Sequence, residues 1–301
     1  MFGFQLVANL GLYGPGVLLV REATVRWKKG WATVLLLGAA YGILEEGVAL
    51  STLFNPDASP VGRLGTYGHW LGVNWVWVAG ILPVHMIFSI SLPILLLGLA
   101  VPGTRGENLL SRRGLRVVSL VLAVDVASLF LLVTRIEHFW MGWPVFVSSL
   151  VAMALLVLAA RQVPANAIHA TSGLPRVGPR AVCVVGALFY TSVLLAEGLG
   201  MGAGLPAAAD FVLVVAVQAL FLIGLLRVAG SRENERDLIA LALGLVVPIA
   251  AIGVISELPL ALSLLPDLAF VLFLRMLWAE HPASPGPTPR EAGRLPSSSA
   301  A

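Results

Sequence analysis

Charge is scarce in this chain. Only 12% of its 301 residues are Asp, Glu, Lys or Arg, against about 25% in a soluble domain. Lysine is nearly absent: Lys28 and Lys29 stand alone and arginine serves everywhere else, a bias that fits a GC-rich prokaryotic genome. The single cysteine, Cys183, lies in an apolar run. It excludes an intrachain disulfide and argues against a thiolate nucleophile or a cysteine metal cluster. The opening MFGFQLVANL lacks a basic n-region, and no small-x-small cleavage site follows it, so a retained span is expected rather than a cleaved signal peptide. No segment offers HExxH, a Ser/Lys dyad in a recognisable context, a Walker loop or a GxGxxG opening a helix. No metal site is read from the sequence, and it names no cofactor.

What is present is apolar. Hydrophobic residues make up 58% of the chain and gather into runs long enough to cross a bilayer. They predict an all-α fold, a polytopic integral membrane helix bundle. About nine spans fall near 3–20, 31–54, 73–100, 115–134, 144–161, 181–203, 207–229, 238–257 and 259–279. The count is eight if the first run, diluted by Gln5, Asn9 and Pro15, does not cross; Glu257 and Pro259 mark a tight turn between the last two. Residues 1–280 thus form one transmembrane domain. The Pro/Ser/Ala-rich tail 281–301 is expected to be disordered.

Loop charge gives an orientation. Arg21, Arg26, Lys28 and Lys29 follow the first span, and Arg105, Arg112, Arg113 and Arg116 the third. Arg161, Arg176 and Arg180 follow the fifth, and Arg227, Arg232 and Arg236 the seventh. The alternate connections hold only Arg63 and Arg135. Positive-inside logic places the N-terminus outside and the C-terminus in the cytoplasm of a plasma-membrane protein. The net charge of +3 is then explained by anionic lipid, and the expected partner is the bilayer rather than nucleic acid.

The second span, WATVLLLGAAYGILEEGVALSTLF, carries adjacent carboxylates, Glu45 and Glu46. An ionisable group at bilayer depth costs on the order of 2.5–3.5 kcal/mol on insertion scales, which invites a functional reading. At 1.5 Å per residue, Glu45 lies about 21 Å from Trp31, in the outer half. Gly38, Tyr41, Gly42 and Ala49 share its side and admit a close neighbour. The third span brings His85 to comparable depth, with Asn74 and Ser89 expected on its face and Pro83 expected to kink the helix. Glu197, Tyr190 and Asp210 are further candidates for lining a polar cavity, and Asp125 lies near mid-membrane. The polar outer connection Asn55 to Gly72, leading into Tyr67, His69, Trp70, Trp75 and Trp77, reads as an interfacial aromatic belt or a lid; His138, Trp140 and Trp143 read as a second piece of that belt. An internal repeat is also legible: EEG at 45–47 against AEG at 196–198, and VHMIFSISL at 84–92 against VQALFLIGL at 217–225, with His85 facing Gln218.

A Glu-Glu pair in one span followed by a histidine in the next resembles the CPBP family of intramembrane proteases, which includes the CAAX-processing endopeptidases. Their pattern is EExxxR, then FxxxH, then a later His with Asn or Asp four residues on. Leu50 stands at the arginine position and Ile81 at the phenylalanine position, and His138 is followed by Gly142. The resemblance covers at most residues 31–100. It implies that Glu45 or Glu46 activates a water while His85 helps to stabilise the oxyanion. Read from the residues alone, three functions remain open: a membrane-embedded hydrolase acting on a membrane-protein substrate, a proton-coupled secondary transporter of a small solute, and a non-catalytic scaffold.

Overall fold

The computed structural model describes residues 2–168, 178–230, 235–255 and 260–281, and the fold is all-α apart from one two-residue hairpin. Helices lie at each of the expected positions: α1 (Phe2–Arg26), α2 (Trp31–Gly42, continuing as a π-helix over Ile43–Ala49) and α3 (Trp75–Val84, π-helical over His85–Ser91, α-helical again over Leu92–Ala100). Then follow α4 (Arg112–Glu137), α5 (Trp143–Gln162), α6 (Pro179–Gly202), α7 (Ala207–Gly230), α8 (Glu235–Ile255) and α9 (Leu260–Glu280). Among the described residues, α2, α3, α4, α5 and the first part of α7 are long and apolar enough to cross a membrane. The expected turn at Glu257 and Pro259 lies outside the described residues, as does the tail beyond His281. His281 itself ends α9, its ring 2.9 Å from Glu235 Oε2.

Local chemistry sets the boundaries. Ser111 caps α4 by accepting the Gly114 N–H at 3.1 Å. His138, expected in the aromatic belt, closes the same helix in the left-handed conformation, φ 50°. Proline occupies the first turn of α5 and of α6, where its missing N–H costs nothing.

The second span ends earlier than its apolar pattern indicates, at Ala49 instead of Phe54. Ser51 takes φ 57° and turns the chain back on itself, so that Leu53 N–H reaches the Glu46 carbonyl at 3.3 Å. Leu53 and Phe54 are buried against Met141 within the protein; their apolarity serves a folded loop and not the bilayer. That loop continues through a 3-10 turn, Gly62–Gly65, to strands β1 (His69–Trp70) and β2 (Val73–Asn74), paired antiparallel. Leu71 and Gly72 both take positive φ between the strands, the combination a two-residue turn of the I′ kind requires. Asn74 therefore stands in a strand before α3 and not on the helical face shared by His85 and Ser89.

Arg21 and Arg26 are not free loop charges. Both belong to α1, and fully buried Glu22 holds them at 3.0 Å each while accepting the Leu109 N–H at 2.7 Å. Arg21 also donates to the carbonyls of Thr104 and Glu107. The α3–α4 connection is thus pinned over the end of α1.

Two cores share α3. One gathers α1, α2, α4 and α5 around Tyr41, Val48 and Ile90; the other gathers α6, α8 and α9 around Phe189, Leu245 and Leu277. Phe88 of α3 stacks on Phe189 and meets Tyr190 edge-on, with ring centres 5.0 Å apart in the second pair.

Candidate functional site

Helices α2 and α3 meet at glycine. A Cβ on Gly38 would lie 3.0 Å from Met86 Cα, and one on Gly42 would lie 2.9 Å from a Leu82 methyl and 3.1 Å from His85 Cβ. Only a residue without a side chain admits this approach. It sets His85 directly against the carboxylate-bearing turn of α2.

Both helices are π-helical where they carry the site. Glu45 and Glu46 lie in the first turn of Ile43–Ala49, and His85 opens His85–Ser91. In an α-helix neighbouring residues diverge by about 100°. The wider π turn narrows that angle, so adjacent carboxylates reach one imidazole, and such insertions concentrate at functional sites. In α3 the π stretch follows Pro83, whose missing N–H interrupts the α ladder. The expected kink is taken up there as a wider turn, with the Leu92 N–H donating to the Ile87 carbonyl five residues back.

The imidazole is held on both edges. Nε2 lies 2.9 Å from Glu46 Oε1; Nδ1 lies 3.0 Å from Ser89 Oγ and 3.1 Å from Glu45 Oε2. Glu45, Glu46 and His85 are 2%, 7% and 3% exposed. The two carboxylates differ in their bonding. Glu46 is anchored, since the Thr52 hydroxyl donates to its other oxygen. Glu45 Oε2 is buried without a hydrogen bond, so its approach to Nδ1 is a charge contact out of line with the N–H. Two phenols complete the surroundings. Tyr13 of α1 and Tyr41 of α2 both interact with Glu45, and the Tyr41 ring, seated over Gly16, lies 6.3 Å from those of Tyr13 and His85. Tyr41 Oη is buried, with Glu45 as its polar neighbour. Asp125 of α4 packs over Gly11 within electrostatic reach of Tyr41.

Chemically this is a proton-sharing cluster. Two carboxylates face one imidazole within hydrogen-bond distance or nearly so, an arrangement that gives a proton more than one oxygen to rest on. Each residue also offers a ligand atom within 4.8 Å of the other two. That Glu/Glu/His donor set can hold a divalent cation such as Zn2+, with Ser89 and Thr52 as outer partners. Linear spacing did not reveal it because the ligands come from separate helices.

The other candidates lie elsewhere. The Asn74 amide donates to the Thr52 and Asn55 carbonyls at 2.8 and 3.0 Å, and its oxygen meets His69 Nδ1 at 2.6 Å. It secures the loop that carries Thr52 and does not enter the cluster. Tyr190 packs on Phe88 in the second core. Asp210 is buried at the start of α7 against Gly200 of α6. Glu197 belongs to α6, and its side chain lies outside the described residues. Among the described residues no second histidine joins His85: His69 serves the hairpin, and His138 and His281 end helices. Sequence reasoning missed Tyr13 and Thr52. Tyr13 sits in the run diluted by Gln5, Asn9 and Pro15, and Thr52 lies beyond the end of α2 although the apolar pattern runs through it.

No family model, no curated protein and no solved structure matches this chain. Fold and site together define a class: an all-α protein with apolar helices fit for a membrane and an ionisable cluster buried between two of them.

Proposed function

We propose that this chain is a membrane-embedded hydrolase, a protease of the kind the CPBP resemblance implies, with Glu45, Glu46 and His85 as its catalytic group. The observation that carries the reading is the unequal bonding of the two carboxylates around His85. Glu46, tied to Thr52 and to Nε2, orients the imidazole. Glu45 has a buried oxygen held only by a charge contact with Nδ1 and by no hydrogen bond, which suits a general base that takes its proton from a water. In the reaction Glu45 takes a proton from that water and the hydroxide oxygen adds to the substrate carbonyl carbon. As the resemblance implies, His85 supports the oxyanion, its Nδ1 side exchanging Ser89 for the substrate oxygen. The C–N bond then breaks, and the proton held by Glu45 passes to the departing amine. A scaffold reading fits less well, because buried groups kept only for packing are normally hydrogen-bonded.

The setting belongs to the same proposal: about nine spans in the plasma membrane, the N-terminus outside, the C-terminus cytoplasmic, and the cluster in the outer half. A second reading, proton-coupled transport of a small solute, is favoured by the near-complete burial of the cluster and by the series Asp125, Tyr41, Glu45, which leads from a partly buried residue of α4 to the buried carboxylate of α2.

The test compares membrane-protein termini by mass spectrometry in three strains: wild type, a deletion, and Glu45→Gln. Hydrolysis predicts that deletion and variant lose the same cleavage products at normal protein level. Unchanged termini, together with proton-driven uptake in proteoliposomes that Glu45→Gln abolishes, would replace the protease with the transporter.

A further inference from the structure

Asp210 has a surrounding of its own, separate from the Glu/Glu/His cluster. It lies in the first turn of α7, fully buried, and neither carboxylate oxygen has a hydrogen-bond partner. Among the described residues no cation pairs with it. Its carboxylate fills the space a side chain at Gly200 would need, so it touches the last turns of α6. The Tyr67 phenol of the outer loop stands beside it and gives its proton to the Leu205 carbonyl at 2.9 Å. The site therefore collects oxygen: the carboxylate, the Tyr67 hydroxyl, the Leu205 carbonyl, and the carbonyls that end α6, one of which, on Gly200, accepts the Leu205 N–H at 3.0 Å.

We propose that this is a binding site for a hard monovalent cation, Na+ in the first instance. A carboxylate closed off from water, with one phenol beside it and no counter-charge among the described residues, is a costly state, and the positive end of α7 favours its ionised form. An all-oxygen surrounding selects a hard cation, and a lone carboxylate matches one positive charge where divalent sites draw on several. Backbone carbonyls at a helix C-terminus, whose second lone pairs stay available, are a known way of holding Na+. Bound there, the ion joins α6, α7 and the Tyr67 loop.

The proposal does not rest on the hydrolase reading. It is tested on the full chain purified in mild detergent, melted by the fluorescence of its eight tryptophans in NaCl, KCl or choline chloride at equal ionic strength. Sodium at about ten times its Kd is expected to raise the Tm by about 3–6 °C over choline. Asp210→Asn should lose that shift, Tyr67→Phe should reduce it, and Glu46→Gln should keep it. Binding of 22Na+ to the wild type, displaced by unlabelled sodium, gives a readout that does not depend on the Asp210 variant folding. Equal melting in all three salts would overturn the site, as would a sodium shift retained by Asp210→Asn. A Tm that follows pH and ignores sodium would replace the cation with a protonated carboxyl group.

Discussion

Helices α2 and α4 invert the rule learned from soluble proteins. Of the five candidate spans, α2 is the least apolar and the most buried, 78% of its window being enclosed; α4 is the most apolar and the least buried, at 6%. Where the surroundings are hydrocarbon, apolarity alone does not drive a helix inward. Small residues that allow contact and polar groups that need partners do. α2 has both, in Gly38 and Gly42 and in Glu45 and Glu46. α4 turns Val117, Leu120, Val124 and Leu131 outward, and its surface is that of a helix facing lipid.

The contrast can be broken by substitution. Removing the partner on which α2 depends should have the largest effect: His85→Ala leaves two buried carboxylates uncompensated and should cost about 3–5 kcal/mol, read as a fall in the detergent concentration that unfolds the purified protein. A loss under about 1 kcal/mol would mean that the carboxylates are neutral and self-sufficient.

Next comes contact itself. Gly42→Leu forces α2 from Leu82 and His85 and should cost about 1–3 kcal/mol, whereas Ala123→Leu on the exposed face of α4 should stay within about 0.5 kcal/mol. Equal costs in the same unfolding assay would show that α4 is packed too, against a partner in the membrane.

The two carboxylates should then separate. Glu46→Gln disturbs the bonds to Thr52 and His85 and should destabilise by about 1–3 kcal/mol. Glu45→Gln sacrifices no hydrogen bond at Oε2 and should leave the melting temperature nearly unchanged, yet lower product formation by about 10²–10⁴-fold. If Glu45→Gln destabilises as much as Glu46→Gln, the free-base role assigned to Glu45 fails. Smallest of all should be Ser128→Ala on α4, whose hydroxyl only returns to the Val124 carbonyl at 2.7 Å. A shift within about 0.5 kcal/mol is expected, and a larger one would place Ser128 at an interface.

Much of this was legible in one dimension. Helix positions followed from runs of apolar residues, because a bilayer imposes a length and forbids unpaired backbone within it. Glu45, Glu46 and His85 stood out because charge in such runs is costly. Other features hid for definite reasons. Leu53 and Phe54 look like the end of a span, since apolar residues in a buried loop and in a membrane helix have the same composition. Asn74 shares a helical period with His85 but lies one residue before the helix begins, in a hairpin. Glu22 carries no signal of burial in the sequence, because the α3–α4 connection that folds over it is more than eighty residues away.

By itself, then, the sequence determined that the protein is helical, where its helices lie, and which ionisable groups sit within them. Only the tertiary structure decided that His85 stands between the two glutamates, that Glu46 is hydrogen-bonded while one Glu45 oxygen is not, that Tyr13, Tyr41 and Thr52 join them, and that Asp210 does not. The physical reason is the same each time. Hydropathy and period are properties of one helix, whereas a site is made of atoms from several, brought within hydrogen-bond distance by glycines that permit contact and π turns that re-aim side chains.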